Sequence, residues 1–377
     1  MSKAAELANL IGNINAGGGG VNRNVIINGA MNVAQRGTSA TNPGGGYATL
    51  DRFRMSQNSS GLGNFVMSQD ASAPTGSGFS KSLKLVKDGA TTMGSGNSAY
   101  IHYNAEGLDV QHLCYGTSDA KPVTISFWVK SSIAGTYGLS LGDGAANRGN
   151  VQTYAISATN TWEYKSVTFV GDTGAVIPND NTAGFSIHWV LGAGTNYHET
   201  SLNAWTATHK LSTSSQTQWP QTDDAEFYLT GCQAEVGQNP TEFEHEPFGR
   251  TYEKCERYFQ KSHIHSEVPG SAQNGGSGTY LGAVVTMSNY NTQYGQLMYH
   301  YEQFRTKMRA APTAVAYNLY SGTAARIGHY NSGDDHTVSY AHQSENGFRA
   351  YATSVNAYGN NNGGDHYQFH YTADAEL

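Results

Sequence analysis

The sequence is poor in cysteine, in charged residues and in long apolar runs. Three cysteines in 377 residues form an odd, widely spaced set. Such a set fits neither a disulfide framework nor a zinc site, so we interpret the cysteines as small buried apolar residues. Charged residues make up 14% of the chain, the formal net charge is −7, and no basic run is present. We therefore expect no nucleic-acid partner, because nucleic-acid binding needs a basic face.

The sequence also lacks the usual signals for membrane insertion and for secretion. No apolar segment approaches the roughly 20 residues that a membrane span requires. The N-terminus has neither the basic start nor the apolar core of a secretory signal. We expect synthesis in the cytoplasm and no membrane insertion.

Glycine and aromatic residues are abundant instead. The chain has 45 glycines, and 38% of its residues are hydrophobic and 11% aromatic. Glycine adopts positive φ at no steric cost and so suits tight turns between short strands. This composition favours a β-rich protein over a helical one, and the apolar content argues against disorder.

Alternation of apolar and polar residues predicts strands over most of the chain. Val123, Ile125, Phe127 and Val129 alternate with polar neighbours and with Trp128, which is typical of a half-buried strand. A further strand is predicted at residues 25–27. About ten short strands without intervening helices predict two packed antiparallel sheets.

We therefore predict an all-β fold with three parts. Residues 1–20 form an attachment helix and a glycine linker, residues 21–250 a β-sandwich, and residues 251–377 a second β-rich, tyrosine-rich domain. Residues 251–262 are compatible with a short helix or with a strand. The second domain is of ordinary size.

A short amphipathic helix is predicted at residues 2–14. Ser2 can cap it, because its hydroxyl can accept a hydrogen bond from a free amide of the first turn. So short a helix needs a partner surface to be stable. The partner could be another protein, its own domain, or two copies of itself around a three-fold axis. The apolar stripe, at i, i+3, i+4 and i+7, consists of Leu7, Leu10, Ile11 and Ile14.

Two groups of segments resemble a β-sandwich domain of structural proteins from tailed bacteriophages, often marine ones. The opening group is NVIINGAMNVAQRG at residues 24–37 and LDRF at residues 50–53. The closing group is FYLTGCQAEVG at residues 227–237, PTEFEH at residues 240–245 and CERYF at residues 255–259. The final ADAEL is similar to the ends of many phage fibre proteins.

The resemblance implies a structural or adhesive role in a virion. It implies a tail fibre or receptor-binding protein, a homotrimer, whose residues 1–20 dock on other virion proteins. Its sandwich would be a jelly roll like those of carbohydrate-binding modules, and its C-terminal domain would meet host surface glycans. The alternatives are a capsid-attached fibre, cement protein or tail adaptor with a purely structural role, and thirdly a glycan hydrolase.

Tyrosine is concentrated in the last third of the chain, where 15 of the 24 tyrosines follow residue 250. Tyrosine is stiff and amphipathic, so it offers contact area at low entropic cost. Sugar rings stack on such faces through their C–H groups. Tyrosine also packs well in strands and at subunit contacts, so both interpretations stay open. The candidates for receptor binding are Tyr317, Tyr320, Tyr330, Tyr340, Tyr351 and Tyr358.

Two sets of residues are candidates for a metal, although we expect no cofactor. His263 and His265 share a face of an extended segment, and three chains around one axis could present six such nitrogens to an ion. Asp172 and Asp180 belong to one glycine-rich loop, and calcium binds six to eight oxygen ligands. The alternatives are exposed loop histidines and plain turn chemistry.

We expect no catalytic activity. The sequence has no nucleophile elbow in a strand-turn-helix context, no phosphate loop and no His-Glu-x-x-His segment. A glycosidase would need two carboxylates facing each other across a cleft. The candidates for such a pair are Asp223, Asp224, Glu242 and Glu244.

Overall fold

The computed structural model describes residues 2–15, 22–43, 45–58, 60–272, 282–288, 297–329, 335–353 and 366–377. The chain divides into two compact units. Unit 1 comprises residues 1–34, 38–251 and 377, and unit 2 comprises residues 35–37 and 252–376. Both units are built from antiparallel sheets, which confirms the all-β prediction.

The N-terminal helix α1 spans Lys3–Asn15, close to the predicted bounds. The amide of Ala5 donates to Ser2 Oγ at 3.3 Å, so Ser2 caps the helix as predicted. Leu7 and Ile11 are 57% and 49% exposed, and the side chain of Ile14 lies outside the described residues. Among the helices described, none is long and apolar enough to span a membrane.

Unit 1 is a β-sandwich of two six-stranded sheets. One sheet has the order β1-β3-β4-β12-β6-β9 and the other has the order β11-β8-β7-β10-β5-β2. In chain order the strands are β1 (Ser39–Thr41), β2 (Arg54–Asn58), β3 (Asn64–Asp70), β4 (Ser82–Asp88), β5 (Ser98–Glu106), β6 (Val123–Ser131), β7 (Gly135–Asp143), β8 (Gly149–Ile156), β9 (Glu163–Phe169), β10 (Ala183–Ala193), β11 (Trp205–Thr206) and β12 (Glu226–Val236).

The core of unit 1 lies between the two sheets, because every second residue of the long strands points inward. On β6 the inward residues are the predicted Val123, Ile125, Phe127 and Val129, and all four are buried. Large aromatic side chains fill the centre, and Trp189 packs against Phe127 with ring centroids 6.0 Å apart. Burial of this many apolar side chains is the main stabilising contribution to such a unit.

The two groups of phage-like segments meet in space. The side chain of Asn24 accepts the amide of Ala234 at 3.0 Å and donates to the carbonyl of Cys232 at 3.1 Å. Glu244 accepts the amide of Asn24 at 3.0 Å. Gly29 is required here, because a Cβ atom would lie 2.0 Å from the Cys232 oxygen. These segments therefore join the beginning of unit 1 to its last long strand.

The strand predicted at residues 25–27 is wrong. These residues form an irregular segment that leads into a turn. The amide of Ile26 donates to Asn24 Oδ1 at 2.9 Å and that of Ile27 to the Tyr103 hydroxyl at 2.8 Å. In the turn, the side chain of Asn28, at φ 62°, accepts the Val33 amide at 2.9 Å and donates to the carbonyls of Val33 and Asp51 at 2.9 and 3.0 Å. Asparagine competes with strand pairing in this way and tolerates the left-handed conformation.

Residues 251–262 were compatible in sequence with a helix or with a strand, and they include the end of a helix and a short strand. Helix α2 covers Phe248–Glu256, and β13 covers Phe259–Lys261. The other strands of unit 2 are β14 (Val285–Ser288), β15 (Leu297–Gln303), β16 (Thr313–Asn318), β17 (Arg326–His329), β18 (Asp335–Thr337), β19 (Ser339–Ser344), β20 (Gly347–Thr353) and β21 (His366–Asp374).

The described strands of unit 2 form two sheets with a core between them. β21 pairs with β13, β14, β16 and β17, and β18 extends that sheet beyond β17, while the other sheet has the order β15-β20-β19. Phe348 of the smaller sheet packs against Tyr371 of the larger one at 5.3 Å between ring centroids. Met298, Ala350 and Phe369 are buried in the same core.

Residues 35–37 of the chain belong to unit 2. The Arg36 guanidinium lies over the Phe259 ring at 3.8 Å from its centroid. It forms ion pairs with Asp374 at 2.9 Å and with Glu376 at 3.4 Å. The Gln35 side chain donates to the carbonyl of Phe259 at 2.9 Å. A segment far away in sequence thus closes one end of this unit.

Candidate functional site

The tyrosines singled out in the sequence divide between the core and the surface of unit 2. Tyr340 packs on the core beside Phe348, at 6.1 Å between ring centroids, and its hydroxyl accepts the amide of Ala316 at 2.7 Å. Tyr340 is half-buried, and its ring and hydroxyl both make contacts within the unit. These contacts favour a structural role for Tyr340 over receptor binding.

Three other candidates are half-buried as well. Tyr317 lies on β16 of the larger sheet and Tyr320 in the turn after it, where the Tyr320 hydroxyl donates to Gln368 at 2.9 Å. Tyr351 lies on the smaller sheet. Tyr330 and Tyr358 lie outside the described residues. Tyr351 belongs to an aromatic surface whose other tyrosines are exposed.

That surface is the solvent side of the sheet β15-β20-β19, here called the tyrosine face. Tyr299 and Tyr301 project from β15 and are 47% and 59% exposed. Tyr299 is paired with Tyr351 and Tyr301 with Arg349, so the four side chains share one side of the pleat. Their neighbours Met298 and Ala350 point the other way, into the core.

The tyrosine face combines aromatic rings with a cation. The Arg349 guanidinium lies 5.1 Å from the Tyr351 centroid and 6.0 Å from that of Tyr301, within the range of a cation–π interaction. A register shift in β19 places His342, at φ 51°, on the same side, with its ring 6.4 Å from Tyr301. The face therefore offers rings, hydroxyl groups and a guanidinium within one small area.

Exposing such rings is unfavourable unless something covers them. Burial of apolar surface is worth about 25 cal/mol per Å², and contiguous exposed apolar surface marks an interaction site in many proteins. Tyr299 and Tyr301 contact each other at 5.9 Å between centroids, so their exposed surfaces are continuous. Sequence reasoning found tyrosines concentrated in this third of the chain but did not select these two. The strand period alone could not say which face was the core.

A second aromatic surface lies on the solvent side of unit 1. Trp128 and Tyr164, which are paired between β6 and β9, contact each other at 5.5 Å between ring centroids. Beside them, Lys130 Nζ lies 3.8 Å from the Tyr228 centroid and 5.2 Å from that of Trp162. Burial lowers the pKa of Lys130. The sequence indicates this aromatic surface, because Trp128 occupies a position of an alternating strand that is otherwise polar.

The aspartates proposed for calcium have other partners. Both Asp172 oxygens accept from the Arg148 guanidinium at 2.9 Å, and hydrogen bonding to Asp172 raises the pKa of Arg148. Asp180 accepts the amide and the hydroxyl of Thr182 at 2.9 and 2.5 Å, and these bonds lower its pKa. The two carboxylates serve an ion pair and a turn.

The two histidines proposed for a metal do not act as a pair. His263 is buried, and its ring lies 4.0 Å from that of His370. His265 instead contacts the Tyr252 ring at 5.4 Å. Burial lowers the pKa of His263 to about 3 and that of His370 to about 4. Within the described residues, no group of three or more His, Cys, Asp or Glu residues could hold a metal ion.

Two of the carboxylates considered for hydrolysis hold loops in unit 1. Glu244 accepts the amides of Asn22 and Asn24 at 2.6 and 3.0 Å. Asp223 accepts the amides of Gly89 and Asp224 at 2.7 and 3.0 Å. These contacts give both side chains a structural role.

No family model and no curated protein matches this chain. The enzymatically active domain of tailspike protein 4 from bacteriophage CBA120 is similar over 57% of this chain and 21% of that chain, at 12% identity and a TM-score of 0.32. The module TmCBM61 in complex with β-1,4-galactotriose is similar over 57% of this chain and 99% of that one, at 8% identity and a TM-score of 0.26.

The family 11 carbohydrate-binding module of the Clostridium thermocellum cellulase Lic26A-Cel5E is similar over 53% of this chain and 92% of that one. Its identity is 13% and its TM-score 0.26. At such values the fold of unit 1 rests on its own sheet topology. The similarities say nothing about a ligand of this chain.

Proposed function

We propose that this protein is a glycan-binding component of a tailed-phage particle and that the tyrosine face is its contact surface. One observation carries the proposal: Tyr299, Tyr301, Tyr351 and Arg349 lie side by side on the solvent side of one sheet. Rings of this kind stack on the C–H side of a sugar, while phenol hydroxyls and a guanidinium bind its hydroxyl groups.

The chemistry of the face favours a sugar over an apolar partner. An apolar partner would be matched by aliphatic side chains, whereas here each ring carries a polar group and a cation lies among them. Tyrosine and arginine are the residue types enriched where proteins bind other molecules. A host surface glycan is the ligand that this composition fits best.

The place in the virion and the subunit number belong to the same proposal. The phage-like segments support a virion component, and homotrimers are expected of fibre proteins. The exposed Leu7 and Ile11 of α1 support docking of the N-terminal helix on another virion protein. Three copies of the tyrosine face would bind a glycan-coated cell with an avidity far above that of one face.

A glycan array tests the binding surface. We expect the full-length protein to bind a subset of bacterial surface glycans, and the double variant Tyr299→Ser/Tyr301→Ser to lose that binding while keeping its melting temperature. The matched control is Tyr340→Phe, at a half-buried tyrosine that packs on the core of the same unit, which should keep binding. Equal array signals from the double variant would refute the proposal, as would a protein that binds no glycan at all.

A structural role for the same face is the second candidate function. Exposed rings also suit a contact between subunits of a fibre, cement or adaptor protein. Light scattering of the double variant separates the two functions. Loss of the oligomer, with a mass near the 40.4 kDa of one chain, would assign the face to subunit contacts. An unchanged oligomer that no longer binds glycans would assign it to recognition.

A further inference from the structure

A small pocket lies in unit 1, away from its aromatic sheet surface. Its walls are the turn after β7, the loop between β9 and β10, and two aromatic residues, Tyr115 and Trp205. The pocket has a volume of about 90 Å³, well below the roughly 300–1,000 Å³ of pockets for drug-sized ligands. Val176 lines it and is 74% exposed, which leaves a large apolar side chain in solvent.

Tyr115 carries the strongest indication of a ligand. It is only 6% exposed, and its hydroxyl has no hydrogen-bond partner within the part of the chain that the structure describes. A buried polar group without a partner costs about 1–3 kcal/mol. Burial raises the pKa of this phenol, so the hydroxyl stays protonated and can donate to a ligand oxygen.

The other polar groups of the pocket define what the ligand must offer. Arg148 forms its ion pair with Asp172, and Asp143 supplies the second carboxylate of the pocket. Asp143 Oδ1 accepts the amides of Asn147 and Arg148 at 2.6 and 3.1 Å. A ligand that satisfies both the Asp143 carboxylate and the phenol must therefore donate one hydrogen bond and accept another. Neighbouring hydroxyl groups do both.

The aromatic wall of the pocket sets a further requirement on the ligand. The Trp205 indole N–H is already used, because it donates to the carbonyl of Val170 at 2.8 Å. What Trp205 offers a ligand is its ring, which meets Tyr115 at 5.7 Å between centroids and an interplanar angle of 75°. A ligand with an apolar C–H side suits this wall.

We infer that this pocket binds a single sugar ring. The ring would place its C–H side on Trp205, accept a hydrogen bond from the Tyr115 hydroxyl and donate one to Asp143. The pocket is too small for a chain of sugars, so the ligand is a monosaccharide or the terminal residue of a glycan. This site uses none of the residues of the tyrosine face and does not depend on the function proposed for that face.

Fluorine NMR of the full-length protein labelled with 5-fluorotryptophan tests the inference. The chain has five tryptophans, and a Trp205→Phe variant assigns the Trp205 resonance. The probes are methyl glycosides of common hexoses, 6-deoxyhexoses, pentoses and N-acetylhexosamines, titrated into the millimolar range. We expect at least one of them to shift the Trp205 resonance with saturation.

Two variants decide whether the Tyr115 hydroxyl is responsible. Tyr115→Phe should weaken that sugar about tenfold, as expected for one lost hydrogen bond. It should leave the melting temperature unchanged or higher, because it removes an unsatisfied group. Tyr154→Phe is the matched control, since Tyr154 is equally buried in the same core and also has an unpartnered hydroxyl among the described residues, but does not line the pocket. It should keep full affinity.

The inference fails if no probe shifts the Trp205 resonance, or if Tyr115→Phe binds the sugar as tightly as the unmodified protein does. A Tyr299→Ser/Tyr301→Ser protein that still shows the Trp205 shift would support it. That result would hold even if the glycan array found no ligand for the tyrosine face, so the two proposals can fail separately.

Discussion

Replacing Tyr301 by alanine should weaken glycan binding about tenfold. A tyrosine side chain offers about 200 Å² of contact area, and Tyr301 is 59% exposed, which leaves about 120 Å². A sugar ring stacked on one side covers about half of this. At about 25 cal/mol per Å² the loss is about 1.5 kcal/mol, or roughly tenfold in Kd. By the same argument, replacing Tyr299, which is 47% exposed, should weaken binding about sevenfold.

Titration calorimetry with a soluble monovalent glycan, chosen from the array, measures these values free of avidity. Tyr301→Ala should leave the melting temperature unchanged, because the side chain lies largely in solvent. Tyr340→Phe should do the opposite: it keeps the affinity but lowers the melting temperature, since the Ala316 amide loses its acceptor. If Tyr301→Ala kept the affinity of the unmodified protein, the stacking argument would be refuted.

Three further predictions concern stability. Asn28→Ala should lower the free energy of unfolding of unit 1 by about 3 kcal/mol, because three hydrogen bonds of a buried side chain are lost; a loss below about 1 kcal/mol in urea unfolding would contradict this. Asp172→Asn should lower the free energy of unfolding by about 2 kcal/mol. This is less than the loss of a fully buried ion pair would cause, because Arg148 is partly exposed. A chelator should leave the melting temperature unchanged. Finally, unfolded histidines gain a proton below about pH 6.5 while folded His263 and His370 stay neutral down to about pH 4. The free energy of unfolding should therefore decrease as the pH is lowered from about 6.5 to about 4. His370→Gln should make the free energy of unfolding depend less on pH in this window.

The sandwich could be predicted from sequence because its strands alternate cleanly. Phe127 and Val129 face the core where the period placed them. The period failed at residues 25–27, where the side chains of Asn24 and Tyr103 bind the backbone groups that a neighbouring strand would otherwise bind. A short apolar run has the same sequence pattern in a strand and in an irregular segment. Here the difference depends on contacts with Ala234 and Cys232, which are distant in sequence.

The candidate site was only partly accessible to sequence reasoning. Tyr340 and Tyr351 both lie on strands of the smaller sheet, yet one ring faces the core and the other the solvent side. A one-residue change of register exchanges these faces, and the register of β15, β20 and β19 is set by pairings that local sequence does not reveal. The clustering of tyrosines predicted the region of the site but not its members.

The discontinuity of the two units restricts how this protein can exchange parts with its relatives. A recombination event near residue 251 would transfer unit 2 without residues 35–37. The recipient would then lack Arg36, the residue that covers Phe259 and neutralises Asp374 and Glu376. Change in unit 2 is therefore more readily acquired by substitutions on its surface than by replacement of the whole unit.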